Sequence, residues 1–162
     1  MMLGYAKTHI NAKTPTRGNP SDAGIDVYFC PEDKDEIKLI QPGECGLLRT
    51  GIKLEIPHGY MVEVKNRSSI ASKQNLLVGA CVIDSGYSGE VFINLHNVGK
   101  ETRHIGYGDK IAQLVVIPVV HARLTEISEE MLYDEPITIS NRKEGGFGST
   151  DKKNESQGKT SV

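Results

Sequence analysis

With 162 residues, 38% apolar and 25% charged, the chain has the size and balance of one soluble globular domain and little room for two. A net charge of −2 provides no basic footprint for a nucleic-acid backbone, so an anionic substrate has to be held by a few local donors. No apolar run reaches the length of a membrane span, MMLGYAKTHI lacks the apolar core of a signal peptide, and Cys30, Cys45 and Cys81 are scattered without a CxxC, so membranes, a disulfide framework and a structural zinc are all unexpected and a reducing, cytoplasmic setting follows.

Taken in chain order, the dominant signal is period-two alternation. Asp26 follows Gly24-Ile25 at the start of a strand, where its carboxylate can face a cleft. Lys53-Leu54-Glu55-Ile56 and Tyr60-Met61-Val62-Glu63-Val64-Lys65 alternate apolar and polar residues, as strands with one buried face do. Residues 68–74 predict two helical turns, with Ser68 a candidate cap. Residues 78–90 read as a hairpin, an apolar strand leading into a glycine-rich turn and a return strand, and residues 90–96 alternate with Val91, Ile93 and Leu95 on one face. Residues 111–117 and 119–127 are β-branched and suit strands, and residues 128–133 suit a short capped helix. Short strands punctuated by Arg17-Gly18-Asn19-Pro20, Pro42-Gly43, Pro57-His58-Gly59 and Gly106-Tyr107-Gly108-Asp109 predict an all-β sandwich or jelly roll rather than βαβ units.

From about residue 141 the composition turns polar, too poor in apolar side chains to order itself. Phe147, set among Gly145, Gly146 and Gly148, is out of place in a merely floppy tail, and a flexible arm that folds over a ligand accounts for it. The expected division is therefore a β domain over residues 1–140 and an arm over 141–162.

Five segments carry chemistry. Asp26 is the first. Arg67-Ser68-Ser69 comes second, a fork of donors followed by hydroxyls at a strand-to-helix turn, where phosphate binds readily. The third is Val78-Gly79-Ala80-Cys81-Val82-Ile83-Asp84-Ser85-Gly86-Tyr87, in which Asp84 ends an apolar run where burial could tune a general base, and Tyr87 offers a flat wall. Gln113, an amide in an otherwise apolar strand, is the fourth. The fifth is Arg142 with Gly145-Gly146-Phe147-Gly148-Ser149-Thr150, which lacks the spacing of a P-loop.

In this order the segments resemble the five motifs of the trimeric dUTPase family, over roughly residues 15–150. The resemblance implies a distorted jelly roll (a dUTPase-like β-clip) with a flexible C-terminal arm, three active sites at the interfaces of a homotrimer, and hydrolysis of dUTP to dUMP and pyrophosphate. It implies Asp84 as the base that activates water and Tyr87 as the residue under the deoxyribose. Val78, Gly79 and Val82 would read uracil through the backbone. Arg67, Ser68, Ser69 and Gln113 would hold phosphates. Asp26 would reach a phosphate-held Mg²⁺ only through water. Arg142 would stabilise charge on the leaving group, while Phe147, Gly148, Ser149 and Thr150 would close over the ligand. Gly86 and Ser88 depart from the family's usual Asp and Arg, Cys81 and Ser69 stand where glycine is usual, and Asp151 follows Ser-Thr in place of glycine.

The nearest rival on the same fold is a dCTP deaminase. That chemistry needs a glutamate on the strand after the hairpin, and the matching residue here is Asn94, which cannot act as a base; Ser72 stands where that branch has a second arginine. A non-catalytic nucleotide-binding module is the rival from another class. Asp84, Tyr87, Arg142 and Phe147 together speak against it.

Overall fold

A computed structural model describes residues 1–132. Eleven strands and two short helices occur among them: β1 (Gly4–Lys7), β2 (Ile25–Tyr28), β3 (Lys38–Ile40), β4 (Cys45–Arg49), β5 (Ile52–Glu55), β6 (Tyr60–Lys65), α1 (Ser68–Gln74), β7 (Leu76–Val78), β8 (Val82–Asp84), β9 (Phe92–Asn97), β10 (Arg103–Ile105), β11 (Lys110–Pro118) and α2 (Glu129–Leu132). Residues 1–121 form one compact unit, and a second begins at Ala122. No described helix is long and apolar enough to cross a membrane.

All the strand pairs are antiparallel. A four-stranded sheet runs β2-β11-β6-β8 and a three-stranded one β4-β9-β7, with two-stranded ribbons β1-β5 and β10-β3. Alternation decides which faces meet. Val62 and Val64 of β6, Ile83 of β8, and Val91, Ile93 and Leu95 in and before β9 are buried together with Leu48, Ile111 and Leu114. Phe92, Asn94 and His96 take the opposite face of β9, half-buried to exposed. The all-β, jelly-roll-like architecture read from the alternation is the one observed.

Three local expectations are corrected. Residues 119–127 form no strand: after Pro118 they pair with no described strand, Val119 gives its N–H to the Gly59 carbonyl at 2.8 Å, and Val120 and Leu124 are 90% and 94% exposed. β-branched composition makes a strand only where an edge is available to pair with. Residues 78–90 are not a hairpin either. β7 pairs with β9, whereas β8 pairs with β6, so the chain changes sheets at Gly79-Ala80-Cys81. Gly79 N–H still donates to Asn94 O at 2.9 Å, and two residues on, Cys81 O accepts Val64 N–H at 2.7 Å. Ser68 is not the cap of α1: Arg67 is the N-cap residue, with extended backbone and no side-chain cap bond, and Ser68 is the first helical residue. The short helix predicted at 128–133 is seen as α2, with Tyr133 outside the described residues.

Candidate active site

Strand register gathers one group of candidates. Gln113 of β11 lies opposite Asp26 of β2 on one side and Lys65 of β6 on the other, which brings Arg67, two residues past Lys65, close to Asp26. Arg67 Nε donates to Asp26 Oδ1 at 2.8 Å, and Lys110 Nζ meets Asp26 Oδ2 at 2.8 Å. Asp26 is only 8% exposed. A carboxylate this buried is tolerable because both its oxygens face cations. With Gly24, Ser68 and Gln113 these residues line a basin of about 420 Å³. Ser69 lies instead in a neighbouring recess of about 270 Å³, which Arg67 and Lys110 also border.

Gln113 is half-buried and held at both ends. Its Nε2 donates to Asn66 O at 2.8 Å, and its Oε1 rests over Gly24, where an added Cβ would sit 1.8 Å away. Asn66 in turn accepts Val78 N–H on Oδ1 at 2.7 Å. One residue thus ties the amide of β11 to the end of β7. The N–H groups of Ser68, Ser69 and Ile70 open α1 without intrahelical partners, as first-turn amides must.

The second group sits at the end of β8. Val82, Asp84 and Tyr87, with Leu47, Val64 and Phe92, line a cavity of about 260 Å³. Val82 and Tyr87 are 57% and 47% exposed, and the Asp84 side chain is exposed as well. That exposure is contrary to the burial expected of a carboxylate ending an apolar run. Tyr87 is fixed at both ends, its N–H to Asp84 O at 3.0 Å and its hydroxyl to Glu90 O at 2.8 Å. The ring lies over Gly89, where a Cβ would meet the hydroxyl at 2.4 Å. Val78 and Gly79 lie outside this cavity's lining. Gly79 packs on the Asn94–His96 pair, itself joined at 2.9 Å, with room for no side chain.

The two groups do not meet within one chain. Asp84 lies opposite Met61, four residues along β6 from Lys65, the partner of Gln113. That offset is about 13 Å along the strands, and two strand spacings add about 10 Å across the sheet. Arg142, Phe147, Gly148, Ser149 and Thr150 lie outside the described residues. In sequence, Lys110 and Asn66 look like ordinary polar residues at strand ends, and only register shows what they touch.

A cation-lined basin and, apart from it, a carboxylate and a tyrosine beside a second cavity, both on a jelly-roll-like frame, suit a protein that takes up a phosphorylated ligand. The dUTPase family profile matches residues 10–151, and the chain belongs to that family. It is 36% identical over 142 residues to the deoxyuridine 5'-triphosphate nucleotidohydrolase of Anaplasma marginale, covering 84% of this chain and 87% of that protein. Its fold matches a solved structure of Staphylococcus bacteriophage 80alpha dUTPase with dUPNHPP, with a TM-score of 0.76 at 27% identity over 91% of this chain and 97% of the other. A mutant dUTPase from phage phi11 of S. aureus, described with a structural Mg(II) ion, matches with a TM-score of 0.71 at 27% identity, covering 80% of this chain and 98% of the other.

Proposed function

We propose that the chain hydrolyses dUTP to dUMP and pyrophosphate, with Asp84 as the base that activates water. The activity rests on the family match across residues 10–151 and on the 36% identity to a deoxyuridine 5'-triphosphate nucleotidohydrolase. Asp84 orients a water and accepts its proton; the water oxygen bonds to the α-phosphorus as the bond to the bridging oxygen of the β-phosphate breaks, and pyrophosphate departs. A positioned base of this kind contributes about 10²–10⁴-fold. Tyr87, held flat over Gly89, walls the sugar where a 2′-hydroxyl would collide. Val78, Gly79 and Val82 would present backbone groups to uracil.

Arg67, Ser68, Ser69 and Gln113 would take the phosphates. Adjacent phosphates share one bridging oxygen, so donors serving the molecule that the water on Asp84 attacks must lie much closer to Asp84 than the register of one chain allows. That separation supports a homotrimer in which one subunit's Asp84 cavity faces another's Arg67 basin. Exposed Val82, Tyr87 and Phe92 around the cavity are the apolar surface such packing would cover. The arm, residues 141–162, would complete the site, with Arg142, Ser149 and Thr150 on the γ-phosphate and Phe147 on the base with Gly148 beside it, a stack worth about 1–3 kcal/mol.

Asp26 has both oxygens engaged by cations, and no cluster of three or more His, Cys, Asp or Glu side chains able to hold a metal occurs among the described residues. Asp26 would therefore act toward a phosphate-held Mg²⁺ through water rather than as a direct ligand. When bound, Mg²⁺ supplies neutralisation of phosphate charge.

Asp84→Asn tests the base. The variant should bind dUpNHpp like the parent while its kcat falls at least 100-fold. Near-normal kcat would remove Asp84 from that role.

A further inference from the structure

The segment that carries Tyr87 is anchored by a residue to which neither the mechanism nor the phosphate cluster gives a part. Glu90 lies in the loop before β9, and its carboxylate, 13% exposed, collects four bonds. Arg49 at the end of β4 grips it with two parallel bonds, Nε to Oε1 and Nη2 to Oε2, both at 3.1 Å. Gly51 N–H donates to Oε1 at 3.0 Å, and Thr8 Oγ1 donates to Oε2 at 3.3 Å. Gly51 has φ +66° and packs on Ala12 and Cys30, so a side chain there would be strained as well as crowded. Arg49 is steadied in turn by Glu32, which also pairs with His9 at 3.1 Å. Next in the chain, Val91 N–H donates to Ile52 O at 2.9 Å. Glu90 is thereby locked to the β4–β5 turn by side chain and backbone together.

Its own carbonyl oxygen is the acceptor for the Tyr87 hydroxyl, at 2.8 Å. The direction of that carbonyl sets where the ring stands, because the ring has no other polar anchor than its hydroxyl and lies over bare Gly89 backbone. A planar, bidentate arginine–carboxylate pair is the polar contact best able to fix an orientation rather than merely a distance.

We infer that Glu90 and Arg49 are positioning residues for sugar selection, acting through the Glu90 carbonyl to hold Tyr87 where it excludes a ribose 2′-hydroxyl. This rests on the reading of Tyr87 as the sugar wall. A purely structural pair would set stability and leave the choice between dUTP and UTP untouched. A positioning pair sets that choice, since a displacement of about 1 Å in a positioned group is enough to change rates by up to 10²-fold.

The test is steady-state pyrophosphate release with dUTP and with UTP, on the full-length chain, for Glu90→Gln, Glu90→Ala, Arg49→Leu, Tyr87→Phe, Tyr87→Ala and the double variant Glu90→Gln/Tyr87→Phe, alongside their melting temperatures. The inference expects the ratio of kcat/KM for dUTP over UTP to fall roughly tenfold in Glu90→Gln and further in Glu90→Ala. It expects Arg49→Leu to act in the same direction. Tyr87→Phe should lower the ratio too, and the double variant should be no worse than its poorer parent, because both changes break one chain of contacts. Glu90→Gln nearly preserves shape, so a folding failure of Glu90→Ala leaves the test intact. An unchanged ratio in the Glu90 and Arg49 variants, or losses that multiply in the double variant, overturns the inference. If Tyr87→Ala also leaves the ratio unchanged, the sugar-wall reading falls with it; if Tyr87→Ala alone lowers the ratio, only the positioning role is lost.

Discussion

Gly24→Ala is a small change with a calculable result. The added methyl carbon would sit 1.8 Å from Gln113 Oε1 and 2.7 Å from its Cδ, but 3.1 Å from its Cβ. Strand β11 therefore has to give by only a few tenths of an ångström, while the amide has to retreat by roughly 1.5 Å to reach ordinary contact, and its bond to Asn66 O, now 2.8 Å, does not survive that. Losing that bond costs about 0.5–1.5 kcal/mol, and an off-rotamer amide adds about as much. Restricting the unfolded chain by replacing glycine returns about 0.4–1 kcal/mol. The net is near 1 kcal/mol of destabilisation, or about 2–4 °C in Tm for a chain of this size. The kinetic effect should fall on phosphate binding, raising KM for dUTP severalfold with kcat changed less. Thermal unfolding and steady-state pyrophosphate release measure both. The control is Gly24→Ala/Gln113→Ala, which removes the amide that the methyl strikes and should be no less stable than Gln113→Ala alone. Wild-type Tm and KM in Gly24→Ala would refute the placement of the Gln113 amide over Gly24.

Three further outcomes are open to measurement. Asn66→Ala removes the acceptor of Val78 N–H and should raise KM for dUTP, whereas Asn66→Asp, which keeps a side-chain oxygen there, should restore most of the loss; equal behaviour of the two would show that the bond to Val78 does nothing for binding. Burial pushes the Glu90 carboxyl up, but the Arg49 hydrogen bond, the Gly51 N–H, the Arg49 charge and Thr8 outweigh it and hold the group below its ordinary 4.5. A depressed carboxyl stabilises the fold fully above its unfolded value and loses that contribution as pH falls below 4.5 through the depressed one, so urea midpoints should drop on acidification more steeply for the parent than for Glu90→Gln, and parallel profiles would contradict the assignment. Deleting residues 141–162 should leave the particle mass measured by light scattering at a whole multiple of the chain mass equal to the parent's, while abolishing efficient dUTP hydrolysis; full activity would sink the role of the arm.

Much of the frame was legible from alternation because each strand buries one face. β6 and α1 have the bounds that their residue patterns predict, and β9 and β11 match to within two residues at each end. Pairing was not legible, since a strand's sequence does not name its neighbour. That is why β7 and β8, adjacent in sequence, were read as one arm of a hairpin although they belong to different sheets. It is also why residues 119–127, strand-like in composition, are not a strand. The candidate residues Asp26, Arg67 and Gln113 were legible by type, whereas the contacts uniting them span 41 or more residues and came only from register. Asn66 adjoins Arg67 and Lys110 lies three residues before Gln113, but neither carries a signal of its own in the sequence.

The central claim is tested most directly by pyrophosphate release from dUTP, dCTP, dTTP and UTP, with and without Mg²⁺, for the parent chain and Asp84→Asn. The account predicts turnover of dUTP far above the other three, stimulation by Mg²⁺, and loss of turnover in Asp84→Asn with dUpNHpp binding retained. Comparable release from dTTP or UTP, conversion of dCTP to dUTP or dUMP, or undiminished turnover in Asp84→Asn would contradict it.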